Sequence, residues 1–219
     1  MNKIELHKLS LALAGCALFF TQGTASASAI TPASYTFDQP TSCGSWCYHD
    51  ASASKLTDGV LGAAGWAANA GSEWVGWYSK PTVHIDFDFG TTRHIDSVRV
   101  GSTQDSLFDV TLPSLDIFSS LDGLIWSLVD SLIVPPSSAN DVNAYSTAPH
   151  GFLTLSDLGI DGRYVRVSAM ANGPWTFIDE VRFDSGNSVP EPLTLGLMSL
   201  GLVGLVVGQR KPGQRRAAT

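Results

Sequence analysis

Through the middle of the chain, hydrophobic and polar residues alternate with the two-residue period of a half-buried β-strand. In TVHIDFDF, Val83, Ile85, Phe87 and Phe89 share one face, and His84, Asp86 and Asp88 share the other. Gly90 is expected to end that run, and HIDSVRVG supplies a further strand. PSLDIFSS, an Asp122-Gly123 turn and LIWSLVDSLIV have the form of a β-hairpin, because an Asp-Gly pair adopts the tight reversal such a turn requires. PPSSAN reads as a loop, RYVRVSAM as a strand and FIDEVRF as the last strand. Helical periodicity is scarce between Ile30 and Ser188, the best candidate being a short turn from Thr57 to Val60. Many short strands punctuated by Gly, Pro, Asn and Asp predict an all-β antiparallel sandwich or barrel, and no internal repeat is evident. A segment of roughly 160 residues is enough for one domain with its own core.

The two ends follow other patterns. Lys3 and Lys8 precede an apolar segment from Leu9 to Phe20, and the small residues of TASASA follow. This reads as a secretory signal over residues 1–29, cleaved after Ala27 or Ala29. A lipoprotein box at Leu13-Ala14-Gly15-Cys16 is the competing reading, although Ala17 to Phe20 continue the apolar run where a lipoprotein turns polar. At the other end nothing between Leu193 and Gly208 is charged, so a soluble surface helix is excluded. As a helix these 16 residues would span roughly 24 Å, short of a ~30 Å hydrocarbon core unless the flanking side chains snorkel. Arg210, Lys211, Arg215 and Arg216 follow, and such clusters stay cytoplasmic, which places the bulk of the chain outside.

Pro190-Glu191-Pro192, the Gly- and Leu-rich run and the basic terminus together resemble the PEP-CTERM sorting signal of Gram-negative bacteria. The resemblance covers residues 189–219, with a transmembrane helix at 193–208. It implies processing by a membrane exosortase near Pro-Glu-Pro, in cells that make exopolysaccharide. A plain membrane anchor is the alternative that the same apolar run supports. The expected location is thus exported, held at the inner membrane, with release to the cell surface or matrix if the tail is cut.

Charge narrows the partners of the remaining domain, residues 30–188. It carries seven basic and 18 acidic residues, a net of −11, against −7 for the whole chain. Such a surface repels a phosphate backbone and argues against nucleic acid. Cys43 and Cys47, with three residues between them in CGSWC, are expected to form a local disulfide in an oxidising compartment, with only a modest entropic gain from so small a loop. The chain contains no G-x-S-x-G elbow, no H-E-x-x-H and no glycine-rich phosphate loop, and His49, His84, His94 and His150 lack metal-ligand spacing. Asp86 and Asp88 read as a solvated strand face, so a non-catalytic protein is expected.

LTDGV (Leu56 to Val60), Trp66, VHIDFDFG, IDSVRV, SSLDGLIW, RYVRV and FIDEVRF stand in the order found in discoidin-like, coagulation-factor C-type domains. That resemblance implies an eight-stranded jelly roll of the galactose-binding-domain-like fold, binding carbohydrate through loops at one end. It also implies a calcium ion held by an Asp of the D-G loop and a carboxylate of the last strand, positions matched by Asp58 and Glu180. Ala63 departs from the usual Ser or Thr of that loop, and the other reading makes Asp58 a turn cap and Glu180 a solvated residue. Trp126 is expected to pack into the sandwich beneath the Asp-Gly turn, and Arg163 to pair with a carboxylate or with loop carbonyls.

Sugar rings stack on aromatic faces while their hydroxyls need polar partners. Three aromatic stretches meet that demand: CGSWCYHD with Trp46, Tyr48, His49 and Asp50; GSEWVGWYSK with Glu73, Trp74, Trp77 and Tyr78; and ANGPW with Asn172 and Trp175. Packing roles for Trp74 and Trp77 leave Trp46, Tyr48, His49, Asn172 and Trp175 as the carbohydrate-binding candidates. The two function classes that remain are a glycan-binding module, with exopolysaccharide one possible ligand, and a structural or protein-interaction component of the envelope or matrix.

Overall fold

The computed structural model describes residues 28–44, 47–62, 66, 73–105, 107–141 and 151–186. The leader up to residue 27, Cys16, Trp46, His150, the Pro190-Glu191-Pro192 motif and the 193–208 run lie outside the described residues.

The alternating strands fold into two five-stranded antiparallel sheets packed face to face. One sheet runs β1 (Ala29–Ile30), β10 (Trp175–Asp184), β5 (Ser97–Ser102), β8 (Gly151–Leu155), with β3 (Val75–Tyr78) also paired to β10. The other runs β2 (Ser34–Phe37), β4 (Thr82–Ile95), β9 (Ile160–Met170), β6 (Ser114–Ser120), β7 (Ser127–Leu132). Short 3-10 turns, Lys55–Thr57 and Ser138–Asn140, lie between strands. β1 already includes Ala29, paired with Asp184, so cleavage after Ala27 preserves the strand and cleavage after Ala29 cuts into it.

The inward positions of both sheets form one core: Val83, Ile85, Phe87 and Phe89 of β4 meet Val98, Val100, Ile178, Val181 and Phe183 of the facing sheet. Gly90 bends the strand instead of ending it. Its φ of 74° lies in the region glycine enters without strain, and the register against β9 slips between Asp88 and Arg93 while pairing resumes to Ile95.

The outer face of the β4 sheet is not simply solvated. Arg166 makes a bidentate pair with Asp86 (2.6 and 2.7 Å), its direct cross-strand neighbour, and Arg163 does the same with Asp88 (2.8 and 2.8 Å). The Arg163 guanidinium holds the Asp88 carboxyl below the usual carboxylate range. Arg166 also lies over the Trp126 ring at 4.2 Å, so Trp126 covers this outer face and not the core beneath the turn. An indole that follows a two-residue turn emerges on whichever face the bulge between Ile117 and Phe118 selects, which strand alternation alone does not reveal.

A buried polar clamp ties the 50–57 loop to β2. The Tyr35 hydroxyl donates to Asp50 and accepts the Leu56 N–H at 2.9 Å, and burial raises the phenol pKa. Tyr35→Phe strands a buried carboxylate and an amide together, so urea unfolding is expected to show a loss of about 1–3 kcal/mol.

Candidate functional site

β10 starts, β4 starts and β9 ends at the same pole of the sandwich, opposite the pole where residues 28 and 185 meet. Three segments knit together there through their backbones. Trp175 N–H donates to the Asp109 carbonyl (3.0 Å), Ser79 N–H to the Pro174 carbonyl (2.8 Å) and Ala171 N–H to the Pro81 carbonyl (2.9 Å). Gln104 is fully buried and braces this region. Its Nε2 donates to Ser137 O (2.7 Å) and Asp141 Oδ1 (2.8 Å), and its Oε1 accepts the Leu112 N–H.

Aromatic rings fill the pole in a pile. Phe177 is sandwiched between Trp66 (centroids 5.5 Å, planes 10° apart) and Trp175 (5.2 Å, 6°), with Tyr48 edge-on at 4.6 Å. Tyr78 leans over Trp175 at 5.0 Å and is 52% exposed, and Phe108, beside Asp109, is 90% exposed. Trp175 is half-buried, so Tyr78 is the ring that meets solvent above it. The Tyr78 backbone is fixed in turn, since its N–H donates to Ser42 Oγ at 2.8 Å.

The predicted site residues divide accordingly. Trp175 belongs to the exposed pole. Tyr48 does not present a face to a ligand: at 2% exposure it packs against Trp66, Trp175 and Phe177 and supports the pole from beneath. Asn172 is likewise turned inward, its Nδ2 donating to Leu112 O and Val134 O, both at 2.8 Å, which fastens two loops together. His49 is exposed, with Nδ1 2.6 Å from Thr41 Oγ1. Cys43 and Cys47 are joined by a disulfide in the loop that flanks Tyr78 through Ser42. Trp74 and Trp77 are core residues.

Sequence reasoning passed over Tyr78 as a site residue because it stood in one stretch with two buried tryptophans. Its signal was position, the last residue of VGWY before the Ser-Lys-Pro turn. Phe108 carried no periodic signal at all.

A second cluster surrounds the 56–62 loop. Asp58 Oδ1 accepts the Val60 N–H (2.8 Å), Glu180 Oε2 the Gly59 N–H (3.1 Å) and Asp179 Oδ2 the Gly62 N–H (2.7 Å). A register slip between Ile178 and Glu180 lets two successive carboxylates reach the same loop. Glu180 is buried rather than solvated, with Arg182 Nε 3.4 Å from Oε1. Loss of solvation pushes its carboxyl up, against the opposing pull of Gly59 and Arg182. Among the described residues no three His, Cys, Asp or Glu side chains converge as a metal-binding group.

Burial pushes Asp179 from 3.8 up to about 6, so the folded state binds this proton more tightly than the unfolded chain. The sign follows: this group costs stability above its folded pKa, and the cost disappears as pH falls toward about 4. Asp179→Asn, which keeps an acceptor for Gly62, is expected to remove a slope worth on the order of 2 kcal/mol between about pH 7 and 4. Thermal melts across that range check it.

Two facing antiparallel sheets joined in this order, with Ser28 and Ser185 meeting at one pole and loops building the other, define a discoidin-like jelly-roll module. The chain belongs to the F5/8 type C domain family, which residues 24–181 match. Residues 188–211 match the PEP-CTERM protein-sorting motif, which marks an exported chain for exosortase processing. Among solved structures, the C-terminal domain of a chitobiase from Bacteroides fragilis is 11% identical with a TM-score of 0.50, covering 71% of this chain and 96% of that one. The family 32 carbohydrate-binding module of Clostridium perfringens NanJ, solved with galactose, is 14% identical with a TM-score of 0.49, covering 73% and 99%. Truncated AlyQ, with CBM32 and alginate lyase domains, is 14% identical with a TM-score of 0.49. That match covers 75% of this chain but only 34% of AlyQ. No curated protein sequence is similar enough to this chain to match it.

Proposed function

We propose that the exported domain binds carbohydrate, with the exopolysaccharide of the producing cell as its ligand, at the pole built from Tyr78, Trp175 and the 107–112 segment. The observation that carries this reading is the exposed Tyr78 ring held over a fixed aromatic base. A sugar's apolar face packs on such a ring, and the rigid base removes the ordering cost that a mobile aromatic would impose. The domain acts by binding alone; the sorting motif delivers it and the pole selects the glycan.

Calcium is part of the proposal. Asp58 and Glu180 offer hard oxygen donors beside a loop whose remaining ligands would be carbonyls, and a cation there would relieve the burial cost on Glu180. The ion would brace the 56–62 loop and take no part in contacting sugar.

A pull-down of the exported chain on native polysaccharide, with calcium or with a chelator, tests both parts. Retention on the polysaccharide supports the glycan reading, and a fall in retention and in melting temperature on chelation supports the calcium. A folded chain that is not retained under either condition points instead to a structural or protein-binding role in the matrix.

A further inference from the structure

The β6–β7 hairpin carries an apolar tip that the glycan site does not use. Leu121, Leu124 and Ile125 are 68%, 83% and 76% exposed within five residues of one turn. The turn beneath them is rigid: Asp122 Oδ1 accepts the N–H groups of Leu124 (2.8 Å) and Ile125 (2.9 Å), and Ser120 Oγ accepts those of Asp122 (3.3 Å) and Gly123 (2.9 Å). Four N–H groups of the turn are thus satisfied locally while three large apolar side chains stay in water, an arrangement that marks an interaction surface.

Its place on the molecule indicates the partner. The tip stands at the pole opposite Tyr78, since Ser120 pairs with Tyr164 and Ser114 with Met170. It adjoins Asp161 across a shallow depression, Asp161 pairs with His94 at 2.9 Å, and His94 with Arg93 borders the depression formed by Ser28 and Ser185. The chain therefore leaves the domain from the same pole. Only six residues, 187–192, separate Gly186 from the apolar run that begins at Leu193. Fully extended they reach about 20 Å. With the tail in a bilayer, this pole stands no further than about 20 Å from the membrane surface, and the glycan pole is the distal one.

We propose that Leu121, Leu124 and Ile125 insert into the lipid interface and fix the domain upright on the membrane that holds its tail. This rests on the membrane reading of residues 193–208. Arg93, exposed on the same rim, faces the anionic headgroups.

The test uses the leader-cleaved full chain in phosphatidylethanolamine–phosphatidylglycerol vesicles. An environment-sensitive fluorophore is placed at Leu124→Cys or, at the far pole, at Lys80→Cys. Carbonate extraction reports tail insertion separately. The expected result is a carbonate-resistant chain whose Leu124→Cys probe is blue-shifted and quenched by brominated lipid several-fold more than the Lys80→Cys probe. A carbonate-resistant chain with equal, water-like probes overturns the docking proposal and leaves the anchor standing. A chain removed by carbonate with a water-like probe overturns both. Concentration-dependent shielding of Leu124→Cys in detergent without vesicles shows that a second copy covers the tip and also overturns the proposal.

Discussion

Phe177→Ala is expected to cost about 3–5 kcal/mol in urea unfolding and to abolish glycan binding together with it. Phe177 is fully buried with Trp66 stacked on one face, Trp175 on the other and the Tyr48 edge beside them. A Cβ added to Gly76 would collide with its ring, so the opposing strand has been reduced to backbone to admit it. Little around this ring can collapse into the space it leaves. The two flanking indoles lose their shared support, and the pole that holds Tyr78 loosens. Near-UV circular dichroism should lose its aromatic bands at denaturant concentrations where the far-UV signal persists.

Tyr78→Ala is the complementary case, and here stability and binding are expected to separate. Tyr78 sits at a strand end, half in water, and its backbone anchor to Ser42 does not involve the ring. Removing the ring should cost less than about 1 kcal/mol of stability, within the range of surface changes. Glycan affinity should fall at least about tenfold, equivalent to roughly 1.4 kcal/mol or more, the size of an aromatic contact at the centre of a site. Trp175→Ala should lose both, because that ring lies in the pile and under Tyr78. Isothermal titration beside thermal melts of the same three proteins distinguishes a contact residue from a support.

The jelly roll was legible because its inward face is written in a two-residue period: Val83, Ile85, Phe87 and Phe89 were placed by alternation alone and all lie in the core. β2, β3 and β8 escaped notice, being four or five residues long; β2 alternates but over too short a run, and β3 and β8 lack a clean polar face. Gly90 misled for a physical reason, since glycine both ends strands and bends them, and only the partner strand decides which. For Arg163 a carboxylate and loop carbonyls were both open as partners, and the structure pairs it with Asp88.

The site was less legible. Tyr48 and Asn172 are loop residues of the right chemical type, yet one is core and the other a loop fastener. Which aromatic faces outward depends on how loops 60 or more residues apart close on each other, as the bond between Asn172 and Leu112 shows. Sequence spacing carries no record of that closure. Asp179 was missed because strand alternation assigns neighbouring residues to opposite faces, and the register slip beside it breaks the rule.

The central claim is that this sandwich is a glycan-binding module whose contact ring is Tyr78. The most direct measurement is a glycan array probed in parallel with the folded exported chain and its Tyr78→Ala variant. The account predicts that the unaltered chain is retained on one sugar class and that the variant, equally folded, is retained at least about tenfold less. A folded chain that binds no glycan, or a variant that binds as well as its parent, would contradict it.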